Sequence, residues 1–193
     1  MNTPTHLILA AAVFAKPNQP KLTWAALIGG FLPDLSLYFM VIWHKFVLNT
    51  SERVIFDEVY FSKYWQFVFS VDNSFFVWGA ILALALVARN GWVIALSGAG
   101  FLHLMFDFPL HHDDARAHFW PLSDWKFESP VSYWDPAHYG GIMAPLEYIF
   151  ALILLTILWR RFTGRFTRVF LLFLGLVPGV VMAGAYLVFS SGP

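Results

Sequence analysis

The sequence predicts an all-α, polytopic transmembrane helical bundle of about five spans, with a short N-terminal half-membrane helix and a long aromatic outer loop. Three observations predict it. The 193-residue chain is 59% hydrophobic and only 12% charged, with a mean hydropathy of +0.62. It contains several apolar runs approaching the roughly 20 residues that cross a bilayer as a helix. Its Lys and Arg residues collect in the short turns between those runs. No internal repeat or low-complexity linker interrupts the pattern, so residues 1–193 read as a single integral membrane domain.

The elements follow in order. Residues 5–15 are helical in composition but too short to span, and they end at the breaker run Lys16-Pro17-Asn18-Gln19-Pro20-Lys21. Residues 22–43 are long enough to cross, with Gly29-Gly30 and Pro33-Asp34 predicting a break at mid-depth. Residues 44–69 mix polar and aromatic side chains and read as an outer loop. Residues 71–88 and 92–110 form a helical hairpin around Arg89-Asn90-Gly91, where Asn-Gly supplies the turn. A second outer loop, about 111–141, precedes the last two spans, 142–159 and 168–189, joined by a basic turn.

If the spans alternate, Lys16, Lys21, Arg89, Arg160, Arg161, Arg165 and Arg168 all fall on one face. The positive-inside rule makes that face cytoplasmic, and in a bacterial inner membrane the two longer loops are then periplasmic. The N-terminus has neither a basic region before its apolar run nor a small-residue cleavage site, so no cleaved signal peptide is expected. A net charge of +0 without a basic stripe argues against nucleic acid as a partner.

Cysteine is absent, which excludes disulfides, thiolate ligands and a cysteine nucleophile. Any metal must sit on imidazoles and carboxylates. Residues 101–127 concentrate such groups: His103 and Asp107 four residues apart, then His111, His112, Asp113 and His118 in a short polar run. Counting about 1.5 Å per residue from the cytoplasmic turns puts His6, Asp34, His103 and Glu147 at one level, roughly 15–18 Å up. Asp72 and Asp107 come out roughly 25 Å up, between that tier and the histidine-rich loop.

Three chemistries suit ionisable groups gathered in hydrocarbon. They can bind one or two divalent ions, zinc first and manganese as the alternative, since the nitrogen and oxygen donors suit a hydrolytic metal. His103 and Asp107, at i and i+4, can direct both side chains to one point. Such an ion lowers the pKa of a bound water and polarises a phosphoryl or acyl oxygen. They can instead be polar links between helices, or a path for ions or protons. Transport is disfavoured because one chain holds too few spans for paired repeats.

Thr5-His6, Leu32-Pro33-Asp34, His103-x-x-x-Asp107 and Trp120-Pro121-Leu122 together resemble the successive motifs of the YdjM-like inner-membrane proteins, described as metal-dependent hydrolases. That family is in turn similar in ligand pattern to zinc-dependent phospholipase C. The resemblance covers about the first two thirds of the chain. It implies metal ligation by His6, Asp34, His103 and Asp107, and by residues on a helix that starts near Asp72. There the sequence departs from the family: a His-Arg-containing stretch ending in Thr-His-Ser is replaced by Val71-Asp72-Asn73-Ser74-Phe75. Asp72 could still ligate or serve as general base, as could Asp113, and Asn73 could bind substrate. His111, His112 and His118 are candidate replacements for the missing imidazoles.

The second outer loop interleaves Phe119, Trp120, Trp125, Phe127, Tyr133, Trp134 and Tyr139 with Pro121, Pro130 and Pro136. This is either an interfacial aromatic belt or a lid that guides a lipid-borne substrate inward. Arg116 in the same loop is the natural phosphate contact, because a guanidinium can bond an oxyanion bidentately. The leading expectation is a membrane-embedded metal-dependent hydrolase acting on a phosphoester or related bond of a lipid or lipid-linked substrate. The alternative is a non-catalytic accessory subunit of a larger membrane complex.

Overall fold

The structure, a computed structural model, describes the backbone of residues 1–190 and the side chains of residues 1–177 and 179. Among the described residues it is helical without a strand. The helices are α1 (Thr3–Phe14), α2 (Pro20–Ile42), α3 (Glu52–Val54), α4 (Lys63–Asp72), α5 (Phe75–Val87), α6 (Gly91–Asp107), α7 (Gly140–Arg161) and α8 (Arg165–Ser190). Among the described residues, four stretches are long and apolar enough to cross a membrane: Pro20–Val47, Lys63–Val87, Gly91–Leu110 and Gly140–Arg161. The further span expected over 168–189 coincides with α8, and most of its second half lies outside the residues whose side chains are described.

Local chemistry sets the helix ends. Prolines stand in the first turns of α1 and α2, where the missing N–H has no intrahelical role. Ser74 caps α5, its hydroxyl accepting from the Phe76 and Val77 amides at 3.1 Å each. At the opposite end of α1 the orphan carbonyls of Ala12 and Ala15 accept from Arg161 Nη1, at 2.7 and 3.2 Å. Lys21 lies over the Trp92 ring at 5.2 Å. These two contacts bring the basic ends of α1, α2, α6 and α7 to one side of the bundle.

The bundle is built around α2 and α6, with α1 inserted beside them against α7. At 12 residues α1 is the short helix the sequence predicts, and Thr5, His6, Ile8, Leu9, Ala10 and Ala11 are all buried. Two glycines allow this packing. A Cβ at Gly29 would stand 2.0 Å from the Leu96 carbonyl oxygen of α6, and one at Gly30 would stand 2.8 Å from the Ala10 Cβ of α1. The predicted break in α2 is absent, and Gly29-Gly30-Pro33 instead mark its contact face. Helix α2 runs through Pro33, and carbonyls beside it accept from neighbouring side chains, Gly30 from His103 at 2.8 Å and Pro33 from Asn73 at 3.3 Å.

Residues 44–69 are not the loop expected from their composition. They form a π-helical turn at Trp43–Val47, then α3, a second π-helical turn at Ile55–Val59, and α4. Ile55, Tyr60, Trp65 and Phe69 fold back onto Met40 of α2 as a buried aromatic cluster. The polar residues between these anchors concealed the helical spacing of Trp65 and Phe69. The expected span 71–88 is likewise two helices, α4 and α5, interrupted at Asn73-Ser74.

Residues 111–139 cover one end of the bundle. Phe119 and Phe127 turn inward onto Phe108, at 5.9 and 4.9 Å between ring centroids, whereas Trp125, Trp134 and Tyr139 face outward. Backbone bonds tie this cover down, including Phe75 N–H to His118 O at 2.9 Å and Tyr133 N–H to Leu110 O at 3.1 Å.

Gly29→Ala is expected to push α2 from α6 and lower stability by at least the roughly 1–3 kcal/mol of ordinary overpacking. At Gly91 a Cβ meets nothing within 4 Å, so Gly91→Ala should be near neutral. Thermal unfolding of both variants in detergent checks the contrast.

Candidate metal centre

Asp107, at the end of α6, is the hub. It is 3% exposed, and its Oδ1 accepts from the Met1 ammonium and lies 2.8 Å from His6 Nε2. Its Oδ2 lies 3.3 Å from His103 Nε2 and 3.3 Å from His111 Nε2. Asp34 completes the wall, with Oδ1 3.6 Å from His103 Nε2 and Oδ2 accepting from the Thr3 hydroxyl at 2.5 Å. Three apolar helices and one loop thus deliver two carboxylates and three imidazoles to one buried place.

The proton positions matter most. His103 Nδ1 lies 2.8 Å from the Gly30 carbonyl, which can only accept, so Nδ1 carries the proton. In the neutral ring Nε2 is then a bare lone pair. It is buried, has no hydrogen-bond partner, and faces the oxygens of Asp34 and Asp107. His111 repeats the pattern: Nδ1 donates to Asp114 Oδ2 at 2.8 Å, and the partnerless Nε2 faces Asp107. Lone pairs opposed without a proton repel unless a cation lies between them or the rings are protonated. His6 and His103 stack at 3.5 Å with their planes 7° apart. Two imidazolium rings at that spacing would repel strongly, so the stack holds at most one protonated ring, and a shared cation is the alternative to that proton.

His6, His103 and Asp107 are all buried and offer ligand atoms within 4.8 Å of one another. A metal-binding imidazole usually donates its other N–H to a carbonyl or carboxylate, as His103 does to Gly30 and His111 does to Asp114. Two nitrogens with carboxylate oxygens suit zinc or another borderline divalent ion. By donor type and burial these residues fit a metal, and the tautomer agrees at His103 and His111, whereas His6 Nε2 lies against Asp107 Oδ1 and its partnerless nitrogen is Nδ1.

The other expected site residues are dispersed. His118 is buried at Asn73, whose carbonyl accepts from its Nδ1 at 2.8 Å. His112 stacks on His138 at 3.6 Å and donates to the Ser129 carbonyl, away from Asp107. Asn73 is spent on structure, its amide donating to the Pro33 and Phe69 carbonyls at 3.3 and 3.0 Å. Asp72 ends α4 rather than starting a helix, and it is not on the cavity wall. Asp113 is exposed and does line the cavity. Glu147, counted in the buried tier, accepts instead from the Asn2 backbone and side-chain amides at 2.8 and 3.2 Å.

The cavity has a volume of about 720 Å³. Its polar lining includes Asp34, Asp107, His111, Asp114, Arg116, Tyr60 and Tyr133, and its apolar lining includes Leu37, Val41, Phe56, Phe61 and Val177. Asp114 was not singled out from the sequence. Its signal was the i, i+3 spacing from His111, obscured by the adjacent Asp113. Burial would lower the His111 pKa, but Asp107 and Asp114 on either side outweigh it and raise the value. Burial likewise works against the Arg116 charge, and Tyr60, Asp34, Asp107 and Asp114 outweigh it. No protein-family model matches the chain, and neither a curated protein nor a solved structure matches it.

Burial holds the His118 pKa at about 4, below the ordinary 6.5. The unfolded chain therefore binds the proton first as pH falls. Stability from this group is complete above pH 6.5 and is lost as pH approaches 4, by roughly 3 kcal/mol. His118→Gln should narrow the gap between thermal midpoints at pH 7.5 and at about pH 4.5. Parallel losses in both proteins would show that His118 does not carry this acid sensitivity.

Proposed function

We propose that this chain is a membrane-embedded, metal-dependent hydrolase-like protein of the YdjM-like type, acting on a phosphoester or related bond of a lipid or lipid-linked substrate. The observation that carries the proposal is the partnerless Nε2 of His103 facing two carboxylates, with its Nδ1 proton fixed on Gly30. In this reading His6, His103 and Asp107 hold the ion, with Asp34 beside His103 and His111 beside Asp107. Zinc is the first choice and manganese the alternative. A divalent ion there supplies Lewis acidity toward a phosphoryl oxygen and a lowered pKa for water.

The chain's own residues supply the rest. His111 is oriented by Asp114, and its Nε2 lone pair can receive a proton beside Asp107. Of the two carboxylates expected as general base, Asp113 lines the cavity and Asp72 does not. Arg116 stands on the same wall as the contact for an anionic substrate group. The basic helix ends are assigned to the cytoplasmic face of a bacterial inner membrane, which turns the cavity toward the periplasm. Outward Trp125, Trp134 and Tyr139 then lie at headgroup level.

One observation favours a second reading, a non-catalytic accessory subunit of a larger membrane complex. Where the resembled family carries imidazoles, Asn73 is a buried latch between α2, α4 and the loop. Metal content separates the two. Elemental analysis of the detergent-purified protein is expected to show zinc or manganese in wild type, lost in His103→Ala and Asp107→Asn and retained in His138→Ala. No metal in folded wild type after resupply would favour the accessory subunit.

A further inference from the structure

Arg116 is 5% exposed, yet its side chain makes no hydrogen bond or ion pair among the described residues. Nε and Nη1 are wholly buried without a partner. The guanidinium is held over the Phe69 ring, 5.0 Å from its centroid, and borders the cavity. The nearby carboxylates have other partners: Asp114 bonds His111 and the Trp134 indole, and Asp107 is surrounded by its imidazoles. A buried guanidinium without an acceptor carries a large desolvation cost, and an oxyanion on its fork removes that cost.

The cavity also has apolar lining: Leu37 and Val41 of α2 border it together with Phe56 and Phe61, and both phenylalanines are 48% exposed. A cavity of about 720 Å³ has room for a headgroup and the proximal part of one chain. A free inorganic anion would leave this lining unused, and a neutral lipid would leave Arg116 unpartnered. Five carboxylates line the cavity, Asp34, Asp57, Asp107, Asp113 and Asp114, and they disfavour negative charge beyond the group that meets the guanidinium.

We infer that the cavity is a binding site for an anionic amphiphile, with Arg116 receiving a phosphate-type headgroup and the chain lying between α2 and the segment carrying Phe56 and Phe61. The assignment rests on the hydrolase reading for the fate of the ligand, whereas binding is testable by itself. The probe is radiolabelled dodecyl phosphate, measured by equilibrium dialysis against the full-length protein in a neutral maltoside detergent, before and after chelator treatment. Saturable binding in both states is expected, at least about tenfold weaker in Arg116→Gln and partly restored in Arg116→Lys. Val41→Trp, which fills the chain slot without touching Arg116, should weaken dodecyl phosphate while leaving inorganic phosphate unchanged.

Equal binding by Arg116→Gln would overturn the inference. Inorganic phosphate competing as well as dodecyl phosphate would overturn the amphiphile and leave an anion site alone. Should Arg116→Gln fail to fold, the comparison of Arg116→Lys and Val41→Trp with wild type decides. Binding abolished by chelation would show that Arg116 is not the anchor. Retained binding in a protein that never takes up metal would overturn the hydrolase reading and uphold this one.

Discussion

The structure depends on satisfying one buried carboxylate. Asp107 sits at the end of an apolar helix, where an uncompensated charge would cost several kcal/mol. Compensation comes from several directions: the Met1 ammonium and His6 of α1, His103 of α6, and His111 of the loop. Helix α2 contributes the Gly30 carbonyl that orients His103 and, at Asp34, a second carboxylate that adds to the charge. The glycine contacts serve this arrangement, since α1 and α6 can approach α2 closely only where α2 lacks side chains. Stability and chemistry are therefore coupled here, and changes at Gly29 or Gly30 should disturb the ligand geometry as well as the packing.

Much of this was legible in the chain. Helix lengths, the Asn90-Gly91 hairpin turn and the i, i+4 pair His103 and Asp107 follow from period and composition. Counting depth from the basic turns placed His6, Asp34 and His103 at one level, and they meet. Glu147 shares that level but faces the start of α1, because depth says nothing about rotation around a helix axis. The helical nature of residues 44–69 was hidden because their apolar anchors are spaced by polar residues and π-turns, which blur a 3.6-residue period. Loop residues were the least legible. His111, His112 and His118 look alike in sequence, yet one meets Asp107, one stacks on His138 and one props Asn73.

Asn73 and Ser74, which stand where the resembled family carries Thr-His-Ser, have structural tasks in this chain. Asn73 and Ser74 occupy the junction of α4 and α5, where Asn73 bonds the α2 backbone and Ser74 caps α5 and bonds the Trp120 carbonyl. The junction is a fastening point for the loop, while His111 approaches Asp107 from that loop.

The central claim is that a cation, and not a proton, settles the His103 lone pair opposed to Asp34 and Asp107. Nitrogen NMR of protein labelled at histidine, with His103 assigned by difference from His103→Gln, reads this directly. The metal-centre geometry predicts a neutral His103 ring with Nδ1 protonated and an Nε2 resonance that shifts on stoichiometric zinc. A His103 ring protonated at both nitrogens near neutral pH and indifferent to zinc would contradict it.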